Sequence, residues 1–521
     1  AISSALPQGP TMDFSRLEKY RDLIDDWEAL CDASATPLPT TCWVNRLRTD
    51  RDALAARWLD DGIESNPLPW YPYGLRIAFG GRPGKTLPYI AGYCHIQEEV
   101  SMLPVHFLDP QPGERILDMC AAPGNKSVQA AVHMLGRGLV LANDVNHRRL
   151  GMVRRNIERI GLSNVMVSQW DASSLPPGSG LYDRVLADVP CSCEGTTRKN
   201  SQLLWRDQVG RSLMGAQAAI LRKAVQRCRP GGRIVYATCT YSPDENEAIV
   251  DTVLREYPEQ IRIRPVDLPG FTFAPGLTEW QGREFLPELR HTLRAWPHVN
   301  DTGGFFIAVL DRIEGEPDRT AAQKAVKKEA ECGTPPPPTR IPPADTVEAL
   351  DVDHLLHILE QRFGIPPQLF DRQVVYRPNR HCLWTVDADL PLPQKPEAYV
   401  LGMPFFYADM EFPRPTTATA IRYGAAATRN LVDVGPREIA SLLAREPIEL
   451  QAERAAAIDG DGYVMLRHRG LVFGLGLFRR HPEAEGGRLK PLLPRSWTTR
   501  LGIEAPPEEP LPWVTGADDL E

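Results

Sequence analysis

The sequence predicts an α/β protein: a doubly wound parallel sheet, preceded by a small α/β unit and followed by an α+β region. Three observations predict it. Between residues 110 and 312, short apolar runs alternate with helical segments through brief connections, the pattern of repeated strand–helix units. Before that stretch, two strand-like runs are interleaved with helical spacing. After it, a charged and proline-rich stretch at 313–345 marks a linker that cannot bury a core.

In chain order, the apolar spacing from Leu17 to Leu30 predicts a helix and Thr41 to Asn45 a strand. Asp52 to Leu59 reads as a helix and Leu75 to Phe79 as a second strand. These elements make a first unit over 1–110. In the next unit, 111–312, Arg115 to Met119 is a strand, followed by a Gly/Pro turn and a helix from Asn125 to Leu135. Leu139 to Asn143 is the next strand, 147–160 a helix, and Val165 to Ser168 a third strand. Tyr182 to Asp188 and Gly232 to Thr238 are two more, with a helix from Leu213 to Cys228 between them, and Phe305 to Leu310 closes the unit. Beyond the linker, 346–500 opens with a helix from Val347 to Phe363 and holds strands at Tyr463 to Leu466 and Leu471 to Phe473. The last residues, 501–521, are an acidic tail.

Composition narrows the function classes. The chain has 521 residues, 42% hydrophobic and 24% charged, which is ordinary for a globular protein of several domains. No apolar run approaches the roughly 20 residues of a membrane helix, and residues 1–7 lack a signal-peptide pattern, so a cytoplasmic, membrane-free monomer is the expectation. The net charge of −8 rules out polyanion binding by bulk composition. Ten cysteines in so long a chain do not form a disulfide framework. Only Cys191 and Cys193 are close together, and no second close Cys or His pair completes a zinc spacing, so no metal is expected.

The turn after the first strand of the central unit is Asp118-Met119-Cys120-Ala121-Ala122-Pro123-Gly124-Asn125-Lys126. It lacks the glycine fingerprint of a dinucleotide site. Its small residues still let a ligand approach the backbone where a helix begins. Asp144 ends the second strand, where an acid reaches a ribose diol in doubly wound folds, and Asp171, after the third, is placed for an adenine amino group. A lone strand-end aspartate is more often a helix cap. Several of them beside a small-residue turn instead favour S-adenosylmethionine over a nicotinamide or ATP. Cys120, Ala121, Ala122, Pro123, Gly124, Asp144, Asp171 and Asp188 are the candidate cofactor residues.

Two cysteines follow strand ends: Cys191 in Asp188-Val189-Pro190-Cys191 and Cys239 in Thr238-Cys239-Thr240. If their strands are neighbours, both thiols face one pocket on the ligand side of the sheet. One chemistry that needs two thiols is methylation of a pyrimidine ring carbon. One thiolate adds to the ring and activates the adjacent carbon, and a second group assists release. The chemistry alone does not order the two.

These motifs, in this order and spacing, resemble the RNA cytosine-5 methyltransferases of the NOL1/NOP2/Sun family. Ile96-Gln97-Glu98 and Gly303-Gly304-Phe305-Phe306-Ile307-Ala308 are similar to the family's flanking motifs, and the likeness covers about residues 15 to 312. The resemblance implies a Rossmann-like class I methyltransferase domain and an RNA-binding-like first unit. It also implies S-adenosylmethionine as methyl donor and structured RNA as partner, ribosomal RNA first and transfer RNA next. It makes Cys239 the nucleophile, Cys191 the releasing group, Asp188 the group facing cytosine N3 and its amino group, and Lys126 a loop contact to cofactor or site. Arg198-Lys199-Asn200 resembles the substrate-side motif, giving Arg198 and Lys199 phosphate contacts. The C-terminal glycines and basic residues (Gly474-Leu475-Gly476, Gly486 to Lys490, Arg495) resemble a PUA-like RNA-binding domain. One departure is Cys193, where the family commonly has glycine, a residue free to adopt positive φ.

Overall fold

The structure, a computed structural model, describes residues 14–199, 209–313 and 352–497, apart from 379, 380, 389, 391, 408–412, 484 and 496. The proline-rich stretch from 314 and the acidic tail lie outside the described residues.

The first unit begins with a break. The expected helix from Leu17 to Leu30 is a 3-10 turn, Glu18–Leu23, followed by helix α1, Trp27–Ala35. The Asp26 carboxylate accepts from the Ala29 N–H at 2.9 Å and so starts a new helix where apolar spacing alone suggested continuity. An antiparallel sheet follows in the order β2-β3-β1-β4, with β1 Thr41–Val44, β2 Ser65–Leu68, β3 Tyr71–Ile77 and β4 Cys94–Ile96. The strand expected at 75–79 is β3, which starts earlier and stops at Ile77. Helices α2 (Arg51–Asp60), α3 (Leu87–Ile90) and α4 (Glu99–Leu108) complete the unit. Trp58, Cys42, Leu75 and Cys94 form its small core.

The central sheet is wound both ways from its middle. Strands β5 (Arg115–Asp118), β6 (Leu139–Asn143) and β7 (Val165–Ser168) run to one side, separated in the chain by α5 (Asn125–His133) and α6 (His147–Ile160). Strands β8 (Tyr182–Asp188) and β9 (Cys228–Thr238), with α7 (Val209–Arg227) between them and α8 (Glu247–Glu256) after, lie on the other. Cys228, expected to end α7, instead opens β9. The order β9-β8-β5-β6-β7 is parallel throughout and reverses direction of winding between β5 and β8. That switch point opens a crevice at the carboxyl ends of the strands, where ligands of such sheets bind. The strands are apolar on both faces, as covered parallel strands must be. Ile116, Leu117, Val185, Leu186, Ile234 and Val235 are almost wholly buried.

Short strands β10 (Ile261–Ile263), β11 (Ala274–Pro275), the β12–β13 hairpin (Glu279–Trp280, Arg283–Glu284) and β14 (Leu293–Ala295) lead to β15, Phe305–Arg312. β15 runs antiparallel to β9, with Phe306 opposite Thr238, and β14 and β11 extend that flank beyond it. Beneath it, Arg294 and Glu247 form an ion pair with both side chains at most 3% exposed.

The C-terminal region holds the helix Val352–Phe363, the described part of the one expected from Val347 (347–351 lie outside the described residues), three shorter helices (Thr417–Tyr423, Pro436–Leu443 and Ala452–Ala456) and two sheets. The first has the order β16-β17-β19-β20 (Gln373–Tyr376, Cys382–Asp387, Met403–Tyr407, Arg414–Pro415). The second has five strands in the order β21-β23-β24-β25-β22 (Leu431–Asp433, Gly462–His468, Leu471–Arg480, Gly487–Leu492, Ile448–Leu450). The region also lends strand β18, Val400–Leu401, to the central sheet, antiparallel to the edge strand β7. Trp384, Val386, Leu390, Val400 and Leu401 share the core of the central sheet, and the added strand covers an otherwise open edge.

Candidate active site

The two thiols meet. Parallel pairing sets Asp188 of β8 beside Ala237 of β9, so the loops after both strands leave the sheet side by side. Cys191 Sγ and Cys239 Sγ lie 3.5 Å apart. Cys193 is the third member: its Sγ is 4.0 Å from Cys191 Sγ, and all three sulfurs fall within 4.8 Å of one another. The convergence of Cys191 and Cys239 is the expected one; the expectation of no metal rested on the want of a second close Cys or His pair in the sequence, and linear spacing does not show that Cys193 joins the other two sulfurs.

Both catalytic candidates are hard to ionise. Hydrogen bonding with Cys193 and Cys239, then burial, pushes the Cys191 thiol well above its ordinary value. For Cys239 the bond from Cys191 works the other way, but Cys193 and burial outweigh it, and this thiol too is pushed well up. Either sulfur can donate in this contact; the form in which Cys191 donates to Cys239 is the one that favours negative charge on Cys239.

The loop around the thiols is clamped from four directions. The Ser192 N–H donates to Glu245 Oε2 at 3.0 Å, and the Gln217 amide bridges Pro190 O and the same carboxylate, each at 2.9 Å. The Ser192 hydroxyl meets Thr240 Oγ1 at 2.6 Å. The Gly195 N–H donates to the Cys239 carbonyl at 2.9 Å, and the Gly304 N–H donates to Gly195 O at 2.9 Å. From the first unit, Tyr20 Oη donates to Glu194 Oε2 at 2.8 Å and Lys19 Nζ pairs with Glu194 Oε1 at 3.1 Å. Cys193 itself sits at φ +62°, ψ +23°. The left-handed conformation that glycine would supply is therefore adopted by a cysteine, at a cost of about 1–2 kcal/mol.

Asp188 Oδ2 pairs with Lys126 Nζ at 2.7 Å, and Lys126 also donates to Ser101 Oγ at 3.0 Å. Burial opposes charge on Lys126, but Asp188 more than offsets it, so the ammonium is held above its usual range. A fixed cation thus stands beside the carboxylate expected to face the base.

The cofactor loop lies over the switch point. Ala121 N–H donates to Asn143 O at 2.7 Å, and Ala122 N–H to Asp144 Oδ2 at 3.0 Å. Gly124, at φ +100°, approaches α6 so closely that a Cβ there would lie 3.0 Å from Val153 Cα. Asp144 also accepts from the Asn146 N–H at 2.8 Å. Asp171 is exposed and caps the following turn through the Ser173 N–H at 2.9 Å, the bland role open to any strand-end aspartate. Asp118 was missed as a site residue. It is 2% exposed, accepts from Ser127 Oγ at 2.6 Å, and its Oδ1 has no partner. Burial raises its pKa to about 7. A buried acceptor lacking a donor, beneath a small-residue turn, fits a ligand carrying an ammonium group, as S-adenosylmethionine does.

Arg198 requires a correction. Its side chain is 1% exposed and its guanidinium is committed to Thr36 O, Thr36 Oγ1, Pro37 O, Thr302 O and Asp301 Oδ1, all within 3.0 Å. A guanidinium so placed ties the substrate-side loop to the first unit and is buried away from any phosphate. Lys199 is half exposed and pairs with Glu98.

The fold and site together define a methyltransferase-type doubly wound domain with a thiol pair at its switch point. The family described as "16S rRNA methyltransferase RsmB/F" matches residues 105–311, and its ferredoxin-like domain matches 17–81. The chain is 35% identical over 298 residues to the tRNA (cytosine(49)-C(5))-methyltransferase of Pyrococcus abyssi, covering 56% of this chain and 94% of that one. It is 38% identical to a human 28S rRNA (cytosine(4447)-C(5))-methyltransferase, covering 57% of this chain and 37% of that one. It is 32% identical to the ribosomal RNA small subunit methyltransferase F of Erwinia tasmaniensis, covering 56% and 61%. A solved methyltransferase homologue from Pyrococcus horikoshii superposes with a TM-score of 0.51 at 29% identity, over 58% of this chain and all of that one. The chain belongs to the RNA cytosine-5 methyltransferase family. Enzymes of the family use S-adenosylmethionine. Among the described residues, no helix is long and apolar enough to cross a membrane.

Proposed function

We propose that the protein transfers a methyl group to carbon 5 of cytosine in structured RNA, with ribosomal RNA as substrate. The observation that carries this is the 3.5 Å approach of Cys191 and Cys239 beside the Asp188–Lys126 pair. Bound S-adenosylmethionine supplies the electrophilic methyl group. The residues that would hold it are Cys120 to Gly124, Asp118, Lys126, Asp144, Asp171 and Asp188.

The Cys239 thiolate adds to cytosine carbon 6, making carbon 5 nucleophilic. Asp188 holds the N3 and amino edge, and Lys126 fixes the orientation of its carboxylate. After methylation Cys191, in its thiolate form, takes the carbon-5 proton; the C–H electron pair re-forms the C5=C6 double bond as the carbon 6–sulfur bond breaks, and Cys239 leaves as thiolate. The target base has to be flipped out of its stack to reach thiols this deep. Ribosomal RNA is favoured by the match to the family described for 16S rRNA and by the two ribosomal RNA relatives; the Pyrococcus abyssi relative supports transfer RNA as the second reading. The C-terminal region serves as a PUA-like RNA-binding surface, with Lys199 contributing at the other edge, and the protein works as a cytoplasmic monomer.

The test uses labelled methyl donor and total RNA. Wild type yields 5-methylcytosine. Cys191→Ala accumulates a covalent RNA–protein adduct, whereas Cys239→Ala forms neither adduct nor product. Methylation that survives Cys239→Ala overturns the assignment.

A further inference from the structure

Three thiols, not two, line the candidate site, and the third has no part in the two-cysteine chemistry. Cys193 reaches the cluster only because it adopts a left-handed backbone at φ +62°. Its sulfur points back at the others, 4.0 Å from Cys191 Sγ, and also lies 3.3 Å from Cys191 O. We propose that Cys191, Cys193 and Cys239 form a three-sulfur site for a thiophilic divalent cation, zinc in the first instance, and that its occupation withholds Cys239 from chemistry.

Geometry supports the site. Zinc–sulfur bonds of about 2.3 Å in tetrahedral directions place the sulfurs about 3.8 Å apart. The observed separations of 3.5 and 4.0 Å, with the third within 4.8 Å, bracket that value without rearrangement of the loops. Among the described residues, this is the one group of three such ligands close enough to hold an ion. Three sulfurs leave one zinc position for water, and soft thiolates select against magnesium. Binding displaces the thiol protons to the buffer, and the clamps from Glu245, Thr240 and Gly304 hold the loops in place while it occurs. The consequence for activity rests on the proposed function; the binding does not.

The reduced chain is titrated with cobalt(II) in the absence of RNA and methyl donor. Wild type is expected to show thiolate-to-cobalt charge-transfer absorption that saturates at one equivalent, disappears on addition of zinc and is unaffected by magnesium. Cys193→Gly removes one ligand while suiting the left-handed backbone, so it keeps the fold and weakens cobalt and zinc binding at least tenfold. Independently of any variant, zinc should slow alkylation of Cys193 and Cys239 in the wild-type chain at least tenfold, read by peptide mass. Lack of thiolate–cobalt absorption in wild type, undiminished affinity in Cys193→Gly, or unprotected alkylation would each overturn the site. None of these readouts depends on methylation, so the methyltransferase reading stands or falls separately.

Discussion

Gly195 is the residue whose replacement tests how tightly the nucleophile is positioned. A Cβ at this position would lie 2.3 Å from Gly304 O, 2.7 Å from its carbonyl carbon and 2.9 Å from its Cα. All three are backbone atoms of the turn entering β15 and cannot swing aside. Restoring an ordinary contact of about 3.4 Å requires the 194–196 turn to retreat by about 1 Å. That movement breaks or stretches two hydrogen bonds, Gly304 N–H to Gly195 O and Gly195 N–H to Cys239 O, both 2.9 Å. Two such bonds are worth about 1 kcal/mol each and the overpacking about 1–3 kcal/mol, so Gly195→Ala is expected to destabilise the fold by about 3–5 kcal/mol. The second bond holds the peptide of the nucleophile itself. A 1 Å misplacement there is expected to lower the single-turnover methylation rate about a hundredfold. The assay pairs denaturant melts with single-turnover kinetics at saturating RNA and methyl donor. Gly215→Ala on α7, where a Cβ meets nothing within 4 Å, is the control and should be neutral or slightly stabilising. A Gly195→Ala protein with wild-type single-turnover rate would refute the claim that this clamp sets the geometry.

Burial raises the Asp118 carboxyl to about 7, so in the fold it stays protonated while an unfolded chain ionises near 3.9. Stability from this group is complete below about pH 4 and is lost as pH rises to about 7, by up to about 4 kcal/mol. Asp118→Asn should flatten that slope in melts across pH 4–7, and unchanged slopes would contradict the assignment. Because Cys191 and Cys239 are both held well above ordinary thiols, log kcat/KM should climb with slope near one from pH 7 past 8.5. A profile already level at pH 7 would show that the free protein holds Cys239 as thiolate. Arg198→Ala removes a buried guanidinium with five acceptors and should cost about 3 kcal/mol in denaturant melts, far more than an exposed phosphate-contact arginine would.

Much of the site was legible because doubly wound sheets place function at strand ends. The apolar runs ending at Asp118, Asp188 and Thr238 located β5, β8 and β9, and the thiols follow directly after the last two. What was not legible depends on contacts distant in sequence. Arg198 looked like a surface cation because nothing nearby in the chain shows that Thr36 and Asp301 close over it. Tyr20 reaches Glu194 across 174 positions, so the role of the first unit in holding the cysteine loop is invisible to local patterning. Strand β18 is only two residues long, too short for periodicity to detect. Asp171 shows the reverse case, in which a local capping bond competes with the assignment drawn from its position.

The central claim is that Cys239 attacks and Cys191 releases. The most direct measurement is denaturing electrophoresis of each cysteine variant after incubation with methyl donor and substrate RNA. A stable RNA–protein adduct with Cys191→Ala, and none with Cys239→Ala or the double variant, is the expected result. An adduct in Cys239→Ala, trapped instead through Cys191, would contradict it.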